Sequence, residues 1–204
     1  MPVVVHDLTP DLWTKFEDLF GTRGAVGGCW CMYWRIGSEY RKRAASANKA
    51  AFRRVVKKGP PGLLALDGDI AVGWCQLTPR EALPWLEKTK KLRRVDAMPV
   101  WAITCFYIRK GYRRQGVTTA LIAAALKKAK QAGVPAVEAY PLDGELSPSS
   151  TSTGYASTFR RMGFVEVARH FGPRPIMRYV FDEALTAQEF RKLIKTGDGS
   201  GTES

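Results

Sequence analysis

Between Ile108 and Leu121 the chain reads Ile-Arg-Lys-Gly-Tyr-Arg-Arg-Gln-Gly-Val-Thr-Thr-Ala-Leu. An apolar run ends, a short basic turn follows, and a helix-forming run begins at Val117. The first N–H groups of a helix lack intrahelical partners, and the helix dipole is positive at that end. Gly116 lets a ligand approach the backbone closely. Such a turn is an anion cradle, suited to phosphate or pyrophosphate. Arg113 and Arg114 add charge, and the Thr118 and Thr119 hydroxyls add donors. There is no Gly-Lys-Ser/Thr, so the turn is not a Walker A loop, and it lacks the spaced glycines of a dinucleotide fingerprint.

Three further groups of residues are candidates for chemistry. Glu138 is the one carboxylate inside a predicted central strand, and strand alternation puts Tyr140 on the same face. A half-buried glutamate there either takes up a proton or pairs with one of the many arginines. Trp30, Met32, Tyr33 and Trp34 follow a run of glycines; they either wall a pocket for a cationic or planar ligand or fold as a small core of their own. Cys29 and Cys31 stand two apart, but Cys75 and Cys105 are distant and the chain has two histidines. That is a weak zinc signal, and no metal site is expected.

These residues need elements to hold them. Thr9 and Pro10 read as the start of a helix whose Leu12, Trp13, Phe16, Leu19 and Phe20 recur at helical spacing, stopped by Gly21. Ala47 to Lys57 reads as a second, basic helix. Gly62–Leu66 and Ile70–Leu77 flank Asp67-Gly68-Asp69, a hairpin turn. Val100–Ile108 is a β run, Val117 to Gln131 a strong helix, and Ala136–Leu142 a further strand. Thr153–Met162 is a short helix closed by Gly163. Phe164–Ala168 and Ile176–Phe181 form a closing pair, and Asp182–Ile194 a final helix. A first strand at Val3–Val5 completes the list. The unit from Val100 to Leu142 alone has the length of a parallel crossover. The expected fold is therefore α/β (α+β): a mixed, mostly antiparallel sheet with one central parallel pair and flanking helices. Residues 1–195 read as one domain, and the Gly/Ser/Thr-rich tail 196–204 as disordered.

With those elements in place, Arg113-Arg-Gln-Gly116-Val-Thr118 resembles the signature of the GNAT superfamily of acyl-CoA-dependent N-acetyltransferases, Arg/Gln-x-x-Gly-x-Gly/Ala after the fourth strand. Thr118 departs from the usual small residue. Phe159-Arg-Arg-Met-Gly163-Phe164 is similar to the family's second landmark, and the likeness runs over most of Leu8 to Val180. The resemblance implies acetyl-CoA in a gap between two splayed parallel strands, Val100–Ile108 and Ala136–Leu142. It implies backbone contacts from Phe106, Tyr107 and Ile108 to the pantetheine arm. It also implies a pyrophosphate held by Arg113, Arg114, Gln115, Gly116, Val117, Thr118 and Thr119, and an N–H near Phe106 for the oxyanion. Many relatives carry an acidic tyrosine where this chain has Phe159. Tyr155, one helical turn earlier, is the nearest phenol and the substitute candidate, with Glu138 as base and Tyr140 beside it. The Trp30–Trp34 segment then borders the acceptor.

The whole composition agrees with a globular protein: 45% hydrophobic and 25% charged residues in 204. Four cysteines exclude a disulfide-dense scaffold. No apolar run spans a bilayer and the N-terminus is not a signal peptide, so a cytoplasmic setting without a membrane is expected. The net charge is +13. Arg41 to Lys58 holds eight basic residues and no acid. Such a field attracts polyanions or only solubilises the surface. The leading expectation is acetyl transfer from acetyl-CoA to a primary amine, on a small molecule. The alternatives are an acyl-CoA-binding module without turnover, or nucleic-acid binding by the basic helix. The last lacks interleaved stacking aromatics and is disfavoured. Monomer and homodimer stay equally open.

Overall fold

The computed structural model describes residues 3–144 and 152–181. The expected final helix at Asp182–Ile194 and the tail 196–204 lie outside them. Strand β1 (Val4–Asp7) precedes a single 3-10 turn, Pro10–Leu12, and helix α1 (Trp13–Phe20). Thr9 and Pro10 do open the first helical turn, but that turn is 3-10 and the α-helix proper begins at Trp13. Gly21 ends α1 at φ +66°, its N–H donating to the Glu17 carbonyl. An irregular loop leads to α2 (Tyr33–Ile36) and then to α3 (Ala45–Lys58).

Strands β2 (Gly62–Asp67) and β3 (Ile70–Pro79) form the hairpin. Helix α4 (Pro84–Lys88) follows, then β4 (Val100–Ile108), α5 (Val117–Gln131), β5 (Ala136–Ala139), α6 (Ala156–Arg161), β6 (Val165–Phe171) and β7 (Arg174–Val180). The sheet order is β1-β2-β3-β4-β5-β7-β6. Only β4 and β5 run parallel among the described pairs.

Both faces of the sheet are covered. On one, α5 and α6 set Leu121, Ile122, Ala125 and Phe159 against Cys75, Leu77, Ile103 and Met177. On the other, α1 and α3 bring Trp13, Phe16, Phe20 and Phe52 onto Trp30, Leu64 and Trp74. Burial on both sides explains why β2 reads as a continuous apolar run rather than an alternating one. Each such side chain, fully buried, contributes roughly 1.5–3 kcal/mol.

Two irregularities open the centre of the sheet. Along β3 and β4, Gln76 pairs with Cys105 and Leu77 with Ile103, so Thr104 bulges out without a partner on β3. The parallel ladder runs from Val100↔Ala136 to Ile103↔Ala139 and stops. Strand β5 is therefore shorter than the expected Ala136–Leu142. Past the ladder, Leu142 bridges to Tyr155, and the Leu142 N–H donates to the Gly154 carbonyl at 3.0 Å. The chain from Ser152 to Tyr155 thus sits where β4 and β5 part.

Among the described residues, no helix is long and apolar enough to cross a membrane.

Candidate active site

A cleft of about 1240 Å³ follows the parting of β4 and β5. At one end lies the N-terminus of α5. Gly116 caps it at φ +81°, and a Cβ placed there would meet nothing within 4 Å. The residue two before it, Arg114, is also left-handed at φ +63°. Val117, Thr118 and Thr119 are the first three helical residues, so their N–H groups have no intrahelical acceptor. They line the cleft with Arg113, Arg114 and Gly116, and Arg161 at the end of α6 faces the same space. Unpaired N–H groups, open room at Gly116 and three guanidiniums fit a diphosphate. Gln115 does not line the cleft. Its amide donates to the Gly111 carbonyl at 2.6 Å and closes the turn instead.

Phe106, Tyr107 and Ile108 form the β4 wall. The Phe106 N–H donates to the Ser152 carbonyl at 2.5 Å, so the expected oxyanion donor is engaged within the chain. Tyr155 lines the cleft from the start of α6 and is 37% exposed. Phe159 is fully buried, in ring contact with Phe106 and Phe164.

At the other end, the aromatic segment divides. Tyr33 and Trp34 line the cleft, whereas Trp30 and Met32 do not. Trp30 is 1% exposed and stacks on Trp13 and Phe20, and Met32 joins the same core. Left-handed backbone at Trp30 (φ +45°) and Cys31 (φ +55°) turns the chain so that neighbours face opposite ways. Gly24 makes room: a Cβ there would lie 2.1 Å from the Trp30 indole. The Trp34 indole donates to the carbonyl of the bulged Thr104 at 3.0 Å, pinning the segment to β4.

Glu138 and Tyr140, read as base and partner, stand outside the cleft. Glu138 is 1% exposed and Tyr140 is fully buried. Arg80 reaches Glu138 at 3.0 Å and Tyr140 at 2.8 Å, and the Tyr140 hydroxyl donates to the same carboxylate at 2.8 Å. Arg178 closes the other oxygen at 2.5 Å and also binds Asp96. Burial, then the Glu138 charge, pushes the Tyr140 phenol well above its ordinary range. A carboxylate held between two guanidiniums and a phenol has no lone pair turned to a substrate. Of the two readings of Glu138, pairing with arginine is the one observed.

Several lining residues escape the sequence reading: Phe20, Tyr40, Gln76, Cys105, Tyr112 and Arg161. Phe20, Gln76 and Cys105 stand in elements assigned to packing, Tyr112 in the basic turn, and Tyr40 outside any expected element. Cys29, Cys31 and Cys105 also line the cleft, with the Cys31 and Cys105 sulfurs 3.9 Å apart. Burial pushes the Cys31 thiol well up and the Cys29 thiol up. Among the described residues, no three His, Cys, Asp or Glu side chains are grouped for a metal ion. The described lining residues include no Asp, Glu or His.

The arrangement can hold an anionic, phosphate-bearing ligand at one end, an extended arm along β4, and an aromatic-walled partner at the other. The sequence profile of the acetyltransferase (GNAT) family matches residues 28–144, just over half the chain. No curated protein sequence matches it. Solved structures resemble its fold. A protein described as histone acetyltransferase HPA2 and related acetyltransferase from Corynebacterium glutamicum superposes with TM-score 0.56 at 18% identity, over 91% of this chain and 100% of that one. A Listeria monocytogenes GNAT-family acetyltransferase gives 0.54 at 13% identity, over 88% and 95%. The PaiA N-acetyltransferase of Thermoplasma acidophilum, in complex with coenzyme A, gives 0.51 at 14% identity, over 89% and 100%.

Proposed function

The chain belongs to the GNAT acetyltransferase family, and from that premise we propose that it moves an acetyl group from acetyl-CoA to the primary amine of a small molecule by direct attack. Acetyl-CoA, its co-substrate, supplies the activated thioester. The observation that carries this reading is the continuity of the cleft: the α5 N-terminus, the open β4 edge and the aromatic end share one cavity.

In this reading residues 1–195 act as one domain. Val117, Thr118 and Thr119 offer backbone N–H groups to the pyrophosphate, with Arg113, Arg114 and Arg161 supplying charge. Phe106, Tyr107 and Ile108 guide the pantetheine arm along β4. Tyr33 and Trp34 border the acceptor, with Phe20, Tyr40 and Tyr107 around them. The Tyr155 phenol gives its proton to the departing thiolate. Glu138 and Tyr140 have no place in the proton path; their network keeps β5 and β7 fixed behind the cleft.

Calorimetric titration of acetyl-CoA at moderate salt, followed by CoA release with a panel of amines, tests the proposal. One saturable site per chain with amine-dependent CoA release is the expected result. Binding without release for any amine would make the chain a cofactor-binding module. No binding would remove the cofactor site altogether.

A further inference from the structure

At the aromatic end of the cleft, one lining polar side chain has no hydrogen-bond partner among the described residues. Gln76 lies on β3 opposite Cys105 and lines the cleft, yet it is 0% exposed. Among the described residues, neither its Nε2 nor its Oε1 finds a hydrogen-bond partner. Leaving a buried donor and a buried acceptor unmade costs roughly 1–3 kcal/mol each. A leucine or methionine would fill the position without that cost. An amide there gains its hydrogen bonds from ordered water or from a ligand that displaces it and brings one acceptor and one donor together.

The charge pattern narrows the ligand further. The described lining residues carry three arginines and no carboxylate or histidine. A lysine-like amine or polyamine, with a pKa near ~10.4, enters as an ammonium and meets no carboxylate or histidine among the described lining residues. An α-amine, with a pKa of about 7.7–8.0, is largely available as the neutral nucleophile near pH 8.

We propose that Gln76 recognises an amide next to the reacting amine, so that the acceptors of this enzyme are α-amino amides whose side chains lie among Tyr33, Trp34 and Tyr40. The assignment rests on the acetyltransferase reading and deepens it. In the transfer, the nitrogen–acetyl bond forms as the thioester C–S bond breaks. The amine gives up one proton and the leaving sulfur takes one, with no oxidation or reduction. The amide of Gln76 donates to the acceptor's carbonyl and accepts from its N–H. Dropping that amide from the substrate leaves Gln76 unpaired, the kind of loss that discriminates strongly between analogues.

The test titrates L-phenylalaninamide and 2-phenylethylamine, which lacks the amide, into protein saturated with CoA. Phenylalaninamide is expected to bind at least about tenfold more tightly, the worth of one or two buried hydrogen bonds. Gln76→Leu is expected to bring the two within about twofold, with acetyl-CoA affinity unchanged. Gln76→Met repeats the comparison should the branched side chain disturb β3. Phenylalanyl-glycyl-glycine assigns the source: binding as tight as the amide points to a peptide end, weaker binding to a free amide. Equal binding of amide and amine, no binding of either, or a preference that survives in both variants overturns the proposal. Acetyl-CoA titration of the same proteins reads the cofactor site independently, so loss of that site is seen apart from loss of the amide preference.

Discussion

The backbone N–H of Phe106 and the carbonyl of Ser152 meet at 2.5 Å across the gap where β4 leaves β5. This contact ties the segment from Ser152 to Tyr155 to β4, beside the Leu142–Tyr155 bridge. Gly154 holds the segment in place at φ +78°, and a Cβ there would lie 3.1 Å from Phe159. Gly154→Ala is therefore expected to destabilise the fold by about 1–2 kcal/mol through its left-handed backbone. It should also weaken acetyl-CoA binding by displacing Ser152. Chemical denaturation and calorimetry measure the two effects; a neutral substitution on both counts would detach this segment from the site.

Gly116→Asp tests the cradle at α5. A Cβ there meets nothing within 4 Å, so folding loses about 1 kcal/mol of backbone conformational energy. A carboxylate facing a diphosphate should cut acetyl-CoA affinity at least about tenfold. Gly116→Asn, which tolerates the left-handed region and carries no charge, should lose much less. Unchanged affinity in a folded Gly116→Asp protein would move the pyrophosphate elsewhere.

Tyr155→Phe removes the phenol that lines the cleft at the start of α6. Turnover should fall by about 10²-fold or more, the usual share of a general acid, with acetyl-CoA affinity intact. Wild-type turnover from the variant would exclude the phenol as proton donor.

Glu138→Gln separates a structural anchor from a base. Arg80 and Arg178 are each 1% exposed, and the substitution removes the charge between them. Breaking a buried pair costs about 3–5 kcal/mol, toward the low end here because Arg80 keeps Glu87 and Arg178 keeps Asp96. Urea denaturation should show that loss while turnover per folded molecule stays near normal. A stable variant with collapsed turnover would return Glu138 to catalysis.

Asp143 supplies a pH test. Hydrogen bonds from Arg160 and then Arg169 hold its carboxyl down at about 2, against 3.8 ordinarily. A lowered folded pKa means its stabilising contribution is complete above about pH 4 and is lost as pH falls toward 2. Being 28% exposed, the carboxylate adds only a modest amount. Asp143→Asn should lower stability at neutral pH and flatten the acid limb between about pH 4 and 2. An acid limb of unchanged slope would assign that sensitivity to other carboxylates.

Local signals reached some elements and missed others, for physical reasons. Val100–Ile108 and Val117–Gln131 are legible to the residue, because each is a long patterned run closed by glycine or proline. Helix α4, five residues long, is too short for a period to show. The cradle from Arg113 to Thr119 is visible in the sequence because its parts are contiguous. The partners of Glu138 are not, since Arg80 and Arg178 lie 58 and 40 residues away. The division of Trp30 from Trp34 depends on positive φ at Trp30 and Cys31, which non-glycine residue types do not announce. Gln76 passes as one polar residue in an apolar strand until its empty hydrogen-bonding capacity is seen in three dimensions.

The bond from Trp34 to the Thr104 carbonyl has a spectroscopic consequence. Trp34 is the one tryptophan among the described cleft-lining residues, while Trp30 and Trp74 are sealed in the core. Trp85 and Trp101 lie outside both groups, so replacing them with phenylalanine leaves an emission divided between the core indoles and Trp34. The core indoles brighten or redden with the state of the fold, and Trp34 changes with whatever occupies the space beside it. Under the proposed function, Trp34 would serve as a label-free optical gauge of acceptor occupancy, fixed at the bulge of β4.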